Sequence, residues 1–263
     1  MTRKPILLFV LLISLMLLFT SCSVNHTSAY NKAVEIFATG EYADAAEAFE
    51  KLGDYSNAPT YAAYSRGLVL FDQGQYVAAE PYFAQVRDFM YGETRYQYCH
   101  GCLLESEGKF SEAAATFLAL ADYEDAAILY RYNNARYAEA NADYETALYD
   151  YQMAGDYSDA ATRLDALRTQ VYDQAVLLAA QGHDEQALHL FTMLGNYYDS
   201  AEQARICKQH FRDARYAEAE ALYNSGDLQG AYEIFISLTG FSDATTRAEE
   251  IGQMLGIELP NVE

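Results

Sequence analysis

Cys99-His100-Gly101-Cys102 is the segment of this chain that most invites a chemical reading. Two thiols at C-x-x-C spacing can form a redox pair or a local disulfide. Leu103, not His, follows Cys102, which disfavours covalent haem attachment. No strand pattern leads into the motif, so a thioredoxin-like context is missing. On a helix the two Cys lie at i and i+3 and bracket Gly101. They therefore read first as packing cysteines, with a Cys99–Cys102 disulfide as the alternative. The five histidines (His26, His100, His183, His189, His210) show no H-E-x-x-H spacing. No glycines cluster ahead of a helix to cradle phosphate. Paired carboxylates such as Glu249-Glu250 suit a solvated helix face. The chain is expected to be no enzyme, to need no cofactor and to hold no metal.

A column of tyrosines is the better candidate. Tyr30, Tyr64, Tyr98, Tyr132, Tyr172 and Tyr216 each stand ten residues ahead of a turn position: Gly40, Gly74, Gly108, Ala142, Gly182 and Gly226. The first three turn-to-turn spacings are 34 residues and the last two are 40 and 44. A fixed period of this size belongs to stacked helix pairs. Stacking brings equivalent residues into a ladder, and Tyr combines an apolar ring with a hydroxyl, which suits an extended peptide or glycan. The plainer reading is that these rings are half-buried packing between helices; the two can coexist, with rings buried and hydroxyls exposed.

The elements that would position this ladder are legible in the spacing. Seven residues before each turn stands a tiny residue: Ala33, Gly67, Gly101, Ala135, Ala175 or Ala219. Apolar residues at three and four before the turn complete the stripe of a first helix. Gly at the turn favours a helix C-terminus. Ala45, Ala79, Ala113, Ala147, Ala187 and Ala231 follow at +5, and Phe49, Phe83, Phe117, Tyr151, Phe191 and Phe235 at +9. Small then large on one face marks a second helix. An aromatic at +15 (Tyr55, Phe89, Tyr123, Tyr157, Tyr197, Phe241) is expected to plug the junction to the next pair. Asp or Asn just before the small residue at +18 is placed to cap the following helix, and Asp199 with Glu202 has the spacing of a capping box. Two segments without Gly or Pro, Ala160 to Gln181 and Ser200 to Ser225, predict longer helices of 22 and 26 residues.

The run Gly-x-aromatic-x-x-Ala-x-x-x-aromatic-x-x-Leu, with a small residue seven before the Gly, resembles the tetratricopeptide repeat. The resemblance covers roughly residues 27 to 256. It implies an all-α, right-handed solenoid of about six helix-turn-helix repeats, and a surface that recognises another macromolecule. Two departures stand out. A Gly-Asp-Tyr-x-Asp-Ala phrase replaces the Pro that commonly closes the repeat, and the first-helix aromatic sits one position late. Cys207-x-x-His210 cannot join Cys99 and Cys102 around zinc in such an array. Three repeats at roughly 10 Å per packed layer separate them, and zinc holds sulfur at about 2.3 Å.

The first 22 residues are of another kind. Arg3 and Lys4 precede the apolar run Ile6 to Phe19, and Thr20, Ser21 and Cys22 follow. This is the layout of a secretory signal. The run is shorter than the ~20 residues of a comfortable membrane span. Leu18-Phe19-Thr20-Ser21-Cys22 resembles a bacterial lipobox, which implies lipid attachment at Cys22. The expected organisation is a signal peptide (1–21), a lipid-anchored linker (22–29), the repeat array (30–256) and a tail (257–263).

Net charge is -21, and cleavage before Cys22 would remove two positive charges and no acid. This excludes the basic footprint that nucleic acid requires. It also leaves membrane attachment to the lipid rather than to charge. The expectation is a non-enzymatic scaffold on the bacterial cell envelope, outside the cytoplasm, that binds an unknown protein or peptide, with the acidic charge favouring a basic one. The alternative is a capture protein for a peptide or cell-wall glycan that serves a transporter or an envelope-assembly system.

Overall fold

A computed structural model describes residues 25–121 and 123–257. The segment expected to be a signal peptide (1–21), Cys22 with the rest of the linker through residue 24, and all of the tail but Ile257 lie outside the described residues. Among the described residues every regular element is a helix, so the chain is all-α. Helix α1 covers residues 25–38 and so already includes residues 25–29, which the spacing assigns to a linker. Then follow α2 (Tyr42–Glu50), α3 (Ala58–Asp72), α4 (Tyr76–Ala84), α5 (Gly92–Ser106), α6 (Phe110–Leu120) and α7 (Ala126–Ala140). The series ends with α8 (Tyr144–Ala154), α9 (Ala160–Ala180), α10 (Asp184–Leu194), α11 (Ser200–Ser225), α12 (Leu228–Ser237) and α13 (Ala244–Leu255). The two long helices stand where the absence of breakers places them. No described helix is long and apolar enough to cross a membrane.

Contacts divide the chain into two compact units, one through Ala160 and one from Ala161. In the first unit each helix from α2 to α8 packs on the next. In the second, α10 to α13 do the same. Sequence neighbours are therefore neighbours in space, as expected of helix pairs joined by short turns.

Each pair is built around its small residues. The Ala at +5 and the aromatic at +9 are fully buried in all six pairs. The tiny residue at -7 faces that aromatic. A Cβ placed on Gly67 would lie 2.8 Å from Phe83 Cε1, and one on Gly101 would lie 2.7 Å from Phe117 Cζ. The ring thus occupies the space that a larger side chain would need. All six turn residues have positive φ, from 58° at Ala142 to 89° at Gly226. Ala142 adopts without glycine a conformation that costs an L-residue about 1–2 kcal/mol.

The junctions between pairs follow one plan. The N–H of the +15 aromatic donates to the carbonyl at +12 over 2.9–3.2 Å, and its own carbonyl accepts from the N–H at +18 over 2.8–3.0 Å. Two such tight turns in succession push the intervening residue into the left-handed region. Ser56, Met90, Glu124, Ser158, Tyr198 and Ser242 all have φ between 47° and 51°.

Candidate functional site

The tyrosine column is held from three sides. Each of its rings stands edge-on to the +9 aromatic of its own pair, with centroids 5.4–6.3 Å apart. Each also stands edge-on to the +15 aromatic, at 5.1–6.3 Å. Such arrangements add a favourable quadrupole contact to the burial. Tyr64, Tyr98 and Tyr132 are at most 3% exposed, and Tyr30, Tyr172 and Tyr216 are half-buried.

Most of the hydroxyls are committed as well. Tyr98 Oη donates to Asp125 Oδ1. Tyr132 donates to Asp159 at 2.7 Å, Tyr172 to Asp199 at 2.6 Å and Tyr216 to Asp243 at 2.5 Å. Each bond spans 27 residues, from the first helix of one pair to the threshold of the next. In the second pair Tyr91 replaces the Asp. There Tyr64 Oη accepts from Arg95 Nη1 at 2.6 Å and from the Tyr91 N–H at 3.4 Å. Asn57 holds the place in the first pair, where the hydroxyl of Tyr55 is bonded to Thr27 instead.

These bonds revise the role of the junction acids. Asp125, Asp199 and Asp243 make no side-chain cap. They accept from tyrosines instead. The Asp199–Glu202 capping box is not formed either, because Glu202 pairs with Arg205 at 2.7 Å. Side-chain caps occur at the other helix of the pair, where Asp143 accepts from the Thr146 N–H and Asp227 from the Gly230 N–H. The tyrosine donors hold Asp199 and Asp243 below the usual carboxylate range. In return, the bond to Asp243 lifts the Tyr216 phenol to about 12.

Two polar groupings in the first unit stand apart from the repeat plan. Asp150, 1% exposed, accepts from Arg131 Nη1 at 2.6 Å and from Asn134 Nδ2 at 2.5 Å. Equivalent positions carry Ala48, Tyr82, Thr116, Leu190 and Ile234. A lone acid in that column is the signal that would have revealed this pairing. The second grouping centres on Glu105. Its carboxylate accepts from Asn133 Nδ2 at 2.7 Å and from Tyr157 Oη at 3.0 Å. Burial raises its pKa, and the two hydrogen bonds offset this in part.

Cys99 and Cys102 are free thiols, so the local disulfide is not formed. Cys99 is buried in the cluster of Tyr64, Leu68 and Phe83, whereas Cys102 packs against the cluster of Tyr98, Leu104 and Phe117. Helical spacing sends the two side chains to different neighbours. Burial pushes the Cys99 thiol up to about 12 and that of Cys102 higher still. Neither is primed as a nucleophile. His100 lies 3.2 Å from Glu80, and His210 lies 3.4 Å from Asp184. Among the described residues, no group of three His, Cys, Asp or Glu is placed to hold a metal.

What the column leaves on the surface is carried by the junctions. Tyr91 and Tyr198, at adjacent places in two junctions, are each 70% exposed. The Tyr198 ring packs 4.3 Å from Tyr197 and 5.2 Å from Tyr172. The hydrogen bond with Tyr197, and after it the charges of Asp165 and Asp173, raise the Tyr198 phenol above its usual range. In the first unit the Arg131 guanidinium lies over Tyr130 and the exposed Tyr149, at 5.2 and 5.3 Å. Such surfaces offer aromatic contact and charge. No known protein family and no curated protein matches this chain.

Proposed function

We propose that the chain is a non-enzymatic scaffold that binds another protein, held to the outer side of a bacterial membrane by a lipid on Cys22. In this reading the helix pairs form a right-handed, tetratricopeptide-like solenoid of about six repeats. The observation that carries it is the closed, repeated bonding of the tyrosine column. From the second pair on, the bonds join a pair to the threshold of the next, and the conspicuous side chains are consumed by architecture rather than gathered around a reacting centre. Exposed junction aromatics beside acids, as at Tyr198, supply contact area of the type that anchors protein interfaces. The net charge would steer a basic partner toward them.

Crosslinking in intact cells, followed by purification of the chain, tests the proposal. A discrete protein partner whose yield falls with Tyr198→Ala supports it. Recovery of glycan fragments in place of any protein would favour a capture protein and sink the scaffold.

A further inference from the structure

The first helix pair carries an open groove of about 420 Å³ between α1 and the end of α2. Its floor is Ala33, Ile36, Ala48 and Leu52, and its rim carries Lys32 and Lys51. In later pairs the residues equivalent to Ile36 include the buried Leu104 and Ala138, and those equivalent to Ala48 include the buried Leu190 and Ile234.

The chain itself indicates what such a face receives. Lys32 stands eight residues before its turn. The residues at that position in the next two pairs are Arg66 and His100. Each reaches back to a glutamate on the second helix of the preceding pair. Arg66 forms a two-pronged bond to Glu50 of α2, both contacts at 2.8 Å, and His100 lies 3.2 Å from Glu80 of α4. The two glutamates stand at +10 and +6, one helical turn apart and so on one stripe. Lys32 is the same kind of group at the same register, and among the described residues no helix precedes it. Lys51 lies only 4.0 Å from Glu47 in an exposed, weak i,i+4 contact.

We propose that this face is a docking groove for an amphipathic helix of another protein, one that presents small apolar residues flanked by a glutamate. The helix would complete the array at its start, set its apolar stripe on Ile36 and Leu52, and give its carboxylate to Lys32. The groove is basic in an acidic chain, so its partner is opposite in charge to the one the remaining surface would attract. It is a second interaction surface, independent of the reading above.

The full chain in detergent is titrated with a fluorescent, lactam-stapled peptide of residues 42–52, which carries Glu50 in helical form. Saturable binding is expected. Lys32→Glu should weaken it by about fivefold or more, and the Glu50→Lys peptide should recover binding to that variant. Lys32 is exposed, so an unchanged thermal melt confirms that the variant is folded. Absence of saturable binding, or indifference to the charge swap, overturns the proposal. A photocrosslinker at Ala29 in intact cells identifies the occupant. An adduct to an acidic helix of another protein supports the groove. Adducts solely to residues 1–24 of the same chain, or to a second copy, overturn it, and partners captured elsewhere on the chain leave the scaffold reading standing.

Discussion

Ala142 stands alone among the six turn residues in lacking the freedom of glycine, at a φ of 58°. Ala142→Gly should therefore stabilise the chain by about 1 kcal/mol, less the entropy that Gly gives the unfolded state, and a denaturant titration would register it. Glu105 offers a test of opposite origin. Burial raises its folded pKa above the unfolded value. The folded state thus holds this proton more tightly, and stability falls as pH rises through the folded pKa. Glu105→Gln, which can keep both neighbouring bonds, should stabilise at pH 7.5, and the gain should fade toward pH 4. Melts at the two pH values decide it; a gain that persists at pH 4 would mean the charge is not the cause. Tyr132→Phe keeps the ring and removes a hydroxyl that donates to Asp159 and accepts from Arg136 at 2.8 Å. A loss of about 1–2 kcal/mol is expected, because the acid loses its tyrosine donor.

Helices and junctions differ in how far their sequence announces them. The tiny residue at -7, the Ala at +5 and the aromatic at +9 are a steric set, and sterics leave a residue-type signature. Gly67→Ala should destabilise by about 1–3 kcal/mol despite the better helix propensity of Ala, since Phe83 is fully buried and cannot retreat. A melt no lower than that of the parent would show that the ring can yield. The junction acids were legible as residues but not in their task. An Asp before a helix is the ordinary cap, and only the fold shows that a tyrosine 27 residues earlier claims it. The left-handed residue at +16 left no trace at all. Ser, Met, Glu and Tyr share no chemistry there, because the bonds of the +15 backbone on either side impose the conformation. Asp150 left no periodic signal because its partners Arg131 and Asn134 occur together in one pair alone; Arg215 repeats the Arg, but Glu218 stands in place of the Asn.

For the molecule entire, the tyrosine column is a set of struts as well as a candidate ladder. Its rings are flanked by aromatics, and most of its hydroxyls are taken by the next pair. The anchor rests on residues outside those described, so it needs its own experiment. Cys22→Ser should shift the protein from the membrane to the soluble fraction and abolish labelling by an alkyne fatty acid; unchanged fractionation would remove the lipid from the account.

The 27-residue span of each Tyr–Asp bond has a last consequence. These loops follow one another along the chain without overlapping: Asp125 closes one before Tyr132 opens the next. Even the distant Tyr157–Glu105 bond reaches back only 52 residues. Contacts this local favour rapid closure. A chain made from its N-terminus onward therefore completes its leading pairs before its last residues are added.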